Sequence, residues 1–174
     1  ILEGKDHRLM IVTGPCSIHD PISALEYAQK IQQLQSQVSD QIFLVMRAYI
    51  EKPRTTIGWK GFLYDPNLDH SSNMQLGLEK SRELYLQIID MGLPIAAEIL
   101  SPMATAYFDD LLAWGAIGAR TSESQIHREI SSHMPYSIGF KNGTDGSIQI
   151  ALDAIQSASH SHQFMGMSQS GLPC

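Results

Sequence analysis

Short continuous apolar runs alternate along this chain with longer stretches in which apolar residues recur every third or fourth position. Leu9-Met10-Ile11-Val12, Ile42-Phe43-Leu44-Val45-Met46 and Ile95-Ala96-Ala97 show no polar alternation, which is the pattern of parallel strands covered on both faces. Ile22, Leu25, Ala28, Ile31, Leu34 and Val38 keep the helical period. The pattern predicts strands over residues 9–12, 42–49, 93–100, 116–122, 137–141 and 164–168. It predicts helices over 21–39, 75–91, 102–113, 123–132 and 147–158. Asp20-Pro21 offers an N-cap and a preset first turn, Ser101-Pro102 offers the same, and Gly92 closes a helix with a residue that tolerates the left-handed region.

Strand and helix alternate without a hairpin signal, since the Asn142-Gly143 pair leads into a helix. That order specifies an all-parallel α/β sheet. No glycine-rich fingerprint follows the first strand, which argues against an open nucleotide-binding sheet. A (β/α)8 TIM barrel fits better, but it needs about 250 residues. The expectation is one partial barrel domain over residues 1–174, with about six parallel strands and the last ones absent.

Composition narrows the function. The formal charge of −6 argues against binding to a nucleic-acid backbone, which calls for a broad basic face. The apolar runs fall short of the roughly 18 residues needed to span a bilayer, and the N-terminus lacks a signal-peptide core. The chain therefore reads as cytoplasmic, with no membrane partner. Cys16 and Cys174 are too few for a disulfide framework.

The chemistry gathers where the strands end. Cys16 and His19 follow the first strand, Arg47 the second, Glu98 the third, Arg120 the fourth and Lys141 the fifth. Lys52, Arg54, Thr55 and Thr56 extend the second of these, with Pro53 fixing the backbone between two cations. In a barrel such residues face a common centre at the catalytic end, and clustered cations beside hydroxyls suit a small, multiply anionic ligand. Structural ion pairing is the competing reading for each cation. Cys16 is either a small buried filler or one soft ligand to a metal. His19 is either a hydrogen-bonding residue at the helix start or an acid-base group, and His127, on a short polar helix, reads as a surface or supporting histidine. The long connection from Lys52 to the next helix is of a length that usually binds something.

Four stretches carry a resemblance: Gly14-Pro15-Cys16-Ser17-Ile18-His19-Asp20, Lys52-Pro53-Arg54-Thr55-Thr56, Gly118-Ala119-Arg120-Thr121-Ser122-Glu123-Ser124 and Gly139-Phe140-Lys141-Asn142-Gly143-Thr144-Asp145-Gly146. In order and spacing they resemble the microbial type I 3-deoxy-D-arabino-heptulosonate 7-phosphate synthases, feedback-regulated (β/α)8 barrels. These enzymes condense phosphoenolpyruvate with erythrose 4-phosphate and release phosphate, opening aromatic amino-acid biosynthesis. The resemblance implies a divalent metal ion (Mn, Fe, Zn or Co) with Cys16 as one ligand. It implies that Arg47 and Lys52 engage phosphoenolpyruvate on its carboxylate side, and that Arg120 and Lys141 with the Ala119 amide hold its phosphate. Glu98 would orient a water, Arg54 and Thr55 would bind the sugar phosphate, and Lys52, Glu98 and His19 form the catalytic set. An aromatic amino-acid inhibitor and a homo-oligomer are implied for the complete protein.

The departures are equally specific. The family's other metal ligands, a His, a Glu and an Asp, have no counterpart here, nor does a further phosphate-binding Arg or the N-terminal regulatory segment. Thr105-Ala106 stands where many members have Pro-Gln, and Pro135-Tyr136-Ser137 where many have Ser-x-Pro, near the inhibitor region. Two rivals stay open. One is the related octulosonate-phosphate synthase, which uses a five-carbon sugar phosphate and differs from the Lys-Pro-Arg-Thr-Thr loop. The other is a non-catalytic module that binds anions.

Overall fold

A computed structural model describes residues 1–166 and 172–173. The chain divides into two compact units, Ile1–Ala97 and Glu98–Cys174.

In the first unit, β1 (Leu9–Thr13) leads through a loop to α1 (Pro21–Val38), then to β2 (Ile42–Arg47), α2 (Met74–Asp90) and β3 (Ile95–Glu98), whose last residue opens the second unit. The strands pair in parallel, with Leu9 opposite Ile42, Thr13 opposite Met46, and Met46 in turn opposite Ile95. Leu44, Val45, Met46, Ile95 and Ala96 are buried, as their continuous apolar run requires. Burying each of the larger of these side chains is worth about 1.5–3 kcal/mol. The predicted cap forms: the Asp20 carboxylate accepts from the N–H groups of Ile22 and Ser23 at 3.1 and 3.0 Å. Gly92 adopts φ +79° directly after α2.

The predicted edges shift for identifiable reasons. β2 stops at Arg47 because Tyr49 turns to the β1–α1 loop, its carbonyl accepting from Ile18 N–H at 2.9 Å. β3 starts at Ile95 because Pro94 has no N–H for the ladder, although its carbonyl accepts from Met46 at 2.8 Å.

The second unit contains α3 (Pro102–Phe108), β4 (Trp114–Ile117), α4 (Gln125–Ser131), β5 (Ser137–Phe140) and α5 (Gln149–Ala158). β4 and β5 are parallel, from Trp114 opposite Ser137 to Ile117 opposite Phe140, and the Ile99 N–H donates to the Ala116 carbonyl at 2.9 Å. α3 is shorter than predicted: it ends before Asp109 and Asp110, two carboxylates that oppose the negative end of a helix. α5 begins two residues late because Asp145 accepts from Ser147 N–H at 2.9 Å and holds residues 143–147 in a turn. Residues 164–166 carry no regular structure, and the rest of the predicted sixth strand, like Cys174, lies outside the described residues.

The βα order without a hairpin is thus found five times among the described residues, with every resolved pairing parallel. No described helix is long and apolar enough to cross a membrane.

Candidate functional site

The first unit builds its polar cluster on one close backbone approach. Gly14 sits at φ +141°, and a Cβ there would collide with the carbonyl oxygen of Arg47. Only glycine lets the β1–α1 loop pass so close to the end of β2. The passage is then bonded, since Arg47 Nε donates to the Gly14 carbonyl at 2.8 Å. The guanidinium lies 5.7 Å from the centre of the Tyr49 ring, a cation–π contact that fixes the side chain from a second side. Beyond this crossing Cys16 is exposed, and Lys52 Nζ lies 3.7 Å from its Sγ. Cys16 is therefore no core filler.

The loop that follows Lys52 is closed at its base. Lys52 N–H donates to the Lys60 carbonyl at 2.9 Å, and Gly61, at φ +110°, packs against the Ile50 carbonyl where a Cβ would not fit. Trp59 Nε1 donates to the Asp65 carbonyl at 3.0 Å, and the buried Tyr85 hydroxyl donates to Ala48 O at 2.6 Å. Arg54 lies over Gly58, and Arg54 and Thr55 are exposed on this pinned loop. With Asp20, Ser17 and Tyr27, His19 lines a cleft of about 390 Å³ between the end of β1 and the start of α1, whose walls include neither Cys16 nor any of the cations.

In the second unit, Glu98 ends β3 half-buried, its Oε1 lying over Gly118 where a Cβ would displace it. The predicted fourth strand stops at Ile117, because the Gly118 carbonyl accepts from the N–H groups of Thr121 and Ser122, each at 3.0 Å, and bends the chain. Ala119 and Arg120 ride on that turn, with Arg120 exposed. Lys141 lies one residue past β5, its N–H bonded to the Ile117 carbonyl at 3.0 Å and its own carbonyl accepting from the Ser122 hydroxyl at 2.7 Å. His127 is buried, not on the surface. Its Nε2 faces the Leu100 carbonyl at 2.9 Å and so carries the proton, leaving Nδ1 to accept from Ser124 Oγ at 2.8 Å.

Among the described residues Arg47, Lys52, Arg54 and Arg120 form no ion pair. Arg8 shows what such a pair looks like here. It bonds Asp6 at 2.7 Å and draws that carboxyl down to about 2. Arg47 is held instead by the Gly14 carbonyl and the Tyr49 ring, and Lys52 Nζ lies beside the Cys16 thiol.

A divalent metal fits less well. Cys16 offers one thiol, already beside an ammonium, and no three His, Cys, Asp or Glu side chains among the described residues are grouped to hold an ion. Among the described residues, Cys16 alone does not make up a metal site.

Sequence reading missed the residues that do the holding. Tyr85 could have been found, since a tyrosine on the apolar face of a helix needs a partner for its hydroxyl. Ser122 and Tyr49 carried no signal, because their partners lie 19 and 2 positions away on segments whose ends only folding defines.

Comparison with known proteins draws these features together. The model of the DAHP synthetase I family matches residues 1–174. The Tyr-sensitive phospho-2-dehydro-3-deoxyheptonate aldolase of Escherichia coli is 52% identical over 171 residues, covering 98% of this chain and 48% of the relative. The Phe-sensitive enzyme of the same organism is 51% identical, with 98% and 49% covered. The tyrosine-inhibited enzyme of Candida albicans is 50% identical, with 99% and 47% covered. The solved structure of the phospho-2-dehydro-3-deoxyheptonate aldolase from Francisella tularensis superposes with a TM-score of 0.95 at 50% identity, over 98% of this chain and 50% of that one. The chain spans about half the length of the curated relatives it matches.

Proposed function

Since the chain belongs to the DAHP synthetase I family and its fold is an incomplete (β/α) barrel, we propose that the whole protein condenses phosphoenolpyruvate with erythrose 4-phosphate and water. The products are 3-deoxy-D-arabino-heptulosonate 7-phosphate and phosphate, at the entry to aromatic amino-acid biosynthesis. The observation that carries this reading is the family match along the entire chain.

The reaction brings two phosphorylated molecules, one also a carboxylate, into contact against their mutual repulsion, and fixed cations in a site shielded from water offset that repulsion. In this reading Arg47 and Lys52 meet the carboxylate side of phosphoenolpyruvate. Arg120, Lys141 and the Ala119 amide hold its phosphate, and Arg54 and Thr55 take the phosphate of the sugar. Glu98 orients the water and Lys52 serves as the catalytic cation. His19, which lines the cleft at the start of α1, is the proposed acid-base group. A divalent metal, one of Mn, Fe, Zn or Co, is the proposed cofactor, with Cys16 as the single ligand this stretch supplies. We further propose one barrel domain in a cytoplasmic homo-oligomer, inhibited by an aromatic amino acid. Relatives named Tyr-, Phe- and Trp-sensitive match at 52, 51 and 52% identity, so similarity favours none of the three as inhibitor.

The test is turnover by a version that carries the rest of the barrel, supplied with phosphoenolpyruvate and either a four-carbon or a five-carbon sugar phosphate. Phosphate release with the four-carbon sugar alone is expected. Turnover of the five-carbon sugar would point to the octulosonate enzyme, and binding of phosphoenolpyruvate without consumption would point to an anion-binding module.

A further inference from the structure

We propose that Ser122 is a positioning residue for phosphate recognition, its hydroxyl setting the spacing between the turn that carries Arg120 and the strand end that carries Lys141. This rests on the reading above, in which both cations hold one phosphate. Ser122 is completely buried, and its Oγ lies between two carbonyls, Lys141 at 2.7 Å and Gly118 at 3.1 Å. A serine hydroxyl has one proton to give. The Gly118 oxygen already accepts from Thr121 N, Ser122 N and Thr121 Oγ1, at 3.0, 3.0 and 3.1 Å, so the proton goes to the closer Lys141 oxygen.

The rest of Ser122 is held from the other side. Its N–H donates to Gly118 and its carbonyl accepts from Arg128 Nε at 2.8 Å. Lys141 is therefore bonded at both backbone groups, through its N–H to Ile117 at the end of β4 and through its carbonyl to Ser122 in the turn that follows. No other side-chain contact described for the second unit ties the Arg120 turn to Lys141 so directly. Two long flexible cations gain little from aiming at one phosphate unless their backbones are kept at a set distance, and a misplacement on the order of 1 Å costs heavily in such sites. Ser122 touches no substrate in this arrangement. It acts through the main chain.

The experiment uses a version carrying the rest of the barrel, with Ser122→Ala and Ser122→Thr. Alanine removes one buried atom and is compatible with the fold, which the melting temperature monitors. The expected result for Ser122→Ala is a rise of about tenfold in KM for phosphoenolpyruvate and a matching weakening of inhibition by inorganic phosphate. KM for erythrose 4-phosphate should stay within about twofold, since Arg54 and Thr55 lie on another loop. Ser122→Thr keeps the hydroxyl and should restore the KM for phosphoenolpyruvate. A merely structural serine would lower the melting temperature and leave KM and phosphate inhibition unchanged in the folded enzyme, which would overturn the proposal. If the parent binds phosphoenolpyruvate by calorimetry without turnover, and Ser122→Ala binds it about tenfold more weakly, the synthase reading fails and the positioning role stands. If the parent turns over and Ser122→Ala keeps its KM, only the positioning role fails.

Discussion

Arg47 owes its placement to a residue with no side chain. Gly14 must hold φ +141° and leave room for the Arg47 carbonyl, and in return its own carbonyl takes the guanidinium. Gly14→Ala would meet both penalties at once, a strained φ and a backbone collision that no rotamer relieves. It should destabilise the fold by about 2–4 kcal/mol. Urea unfolding of the variant against the parent measures this, and an unchanged midpoint would mean that the loop can move off Arg47 at no cost. The same contact explains why Cys16 is exposed. Between this crossing and the buried Ile18 the loop bows outward, and the thiol emerges beside Lys52.

Among the elements, α1 depends most visibly on a single side chain. Asp20 accepts from Ile22 N–H, Ser23 N–H and the Ser23 hydroxyl, and the Ser23 hydroxyl above all, followed by its N–H, holds the carboxyl below its ordinary value of 3.8. A carboxyl lowered in the folded state contributes stability that is present above the unfolded value and lost as pH falls through the lowered one. Asp20→Ala should therefore lower the urea midpoint at neutral pH and converge on the parent in acid. Asp20→Asn keeps an accepting cap without the charge, and its midpoint should fall less between neutral pH and about pH 3 than that of the parent. Equal acid sensitivity in parent and Asn variant would show that the cap does not titrate.

For the whole molecule, the relevant fact is that the chain spans about half of its curated relatives. β1 pairs with β2 and with no other described strand, and an unpaired strand edge invites association. No three metal-donor side chains are grouped among the described residues, so in the proposed reading Cys16 has too few fellow ligands here to hold a divalent ion. The 174-residue chain by itself should form no heptulosonate phosphate when given both substrates and a divalent metal, and it should elute as oligomer or aggregate. Product from the purified chain, followed by phosphate release, would sink this expectation.

The sequence by itself determined the repeating βα order, the parallel pairing, and the caps at Asp20 and Ser101. Those properties are local, or follow from which runs are apolar on both faces, and composition carries them. Element ends and supporting contacts were decided only by tertiary structure. β2 stops at Arg47 because Tyr49 finds Pro15 and Ile18, and β4 stops at Ile117 because the Gly118 carbonyl gathers a turn. His127 became a buried link to Leu100 through a bond spanning 27 positions, and Ser122 became the tie to Lys141 through one spanning 19. His19 came to line a cleft beside Asp20 and Tyr27, a grouping that only the packing of α1 against the end of β1 creates. A hydrogen bond between distant segments leaves no period and no motif in the chain, because its geometry exists only once both segments have packed.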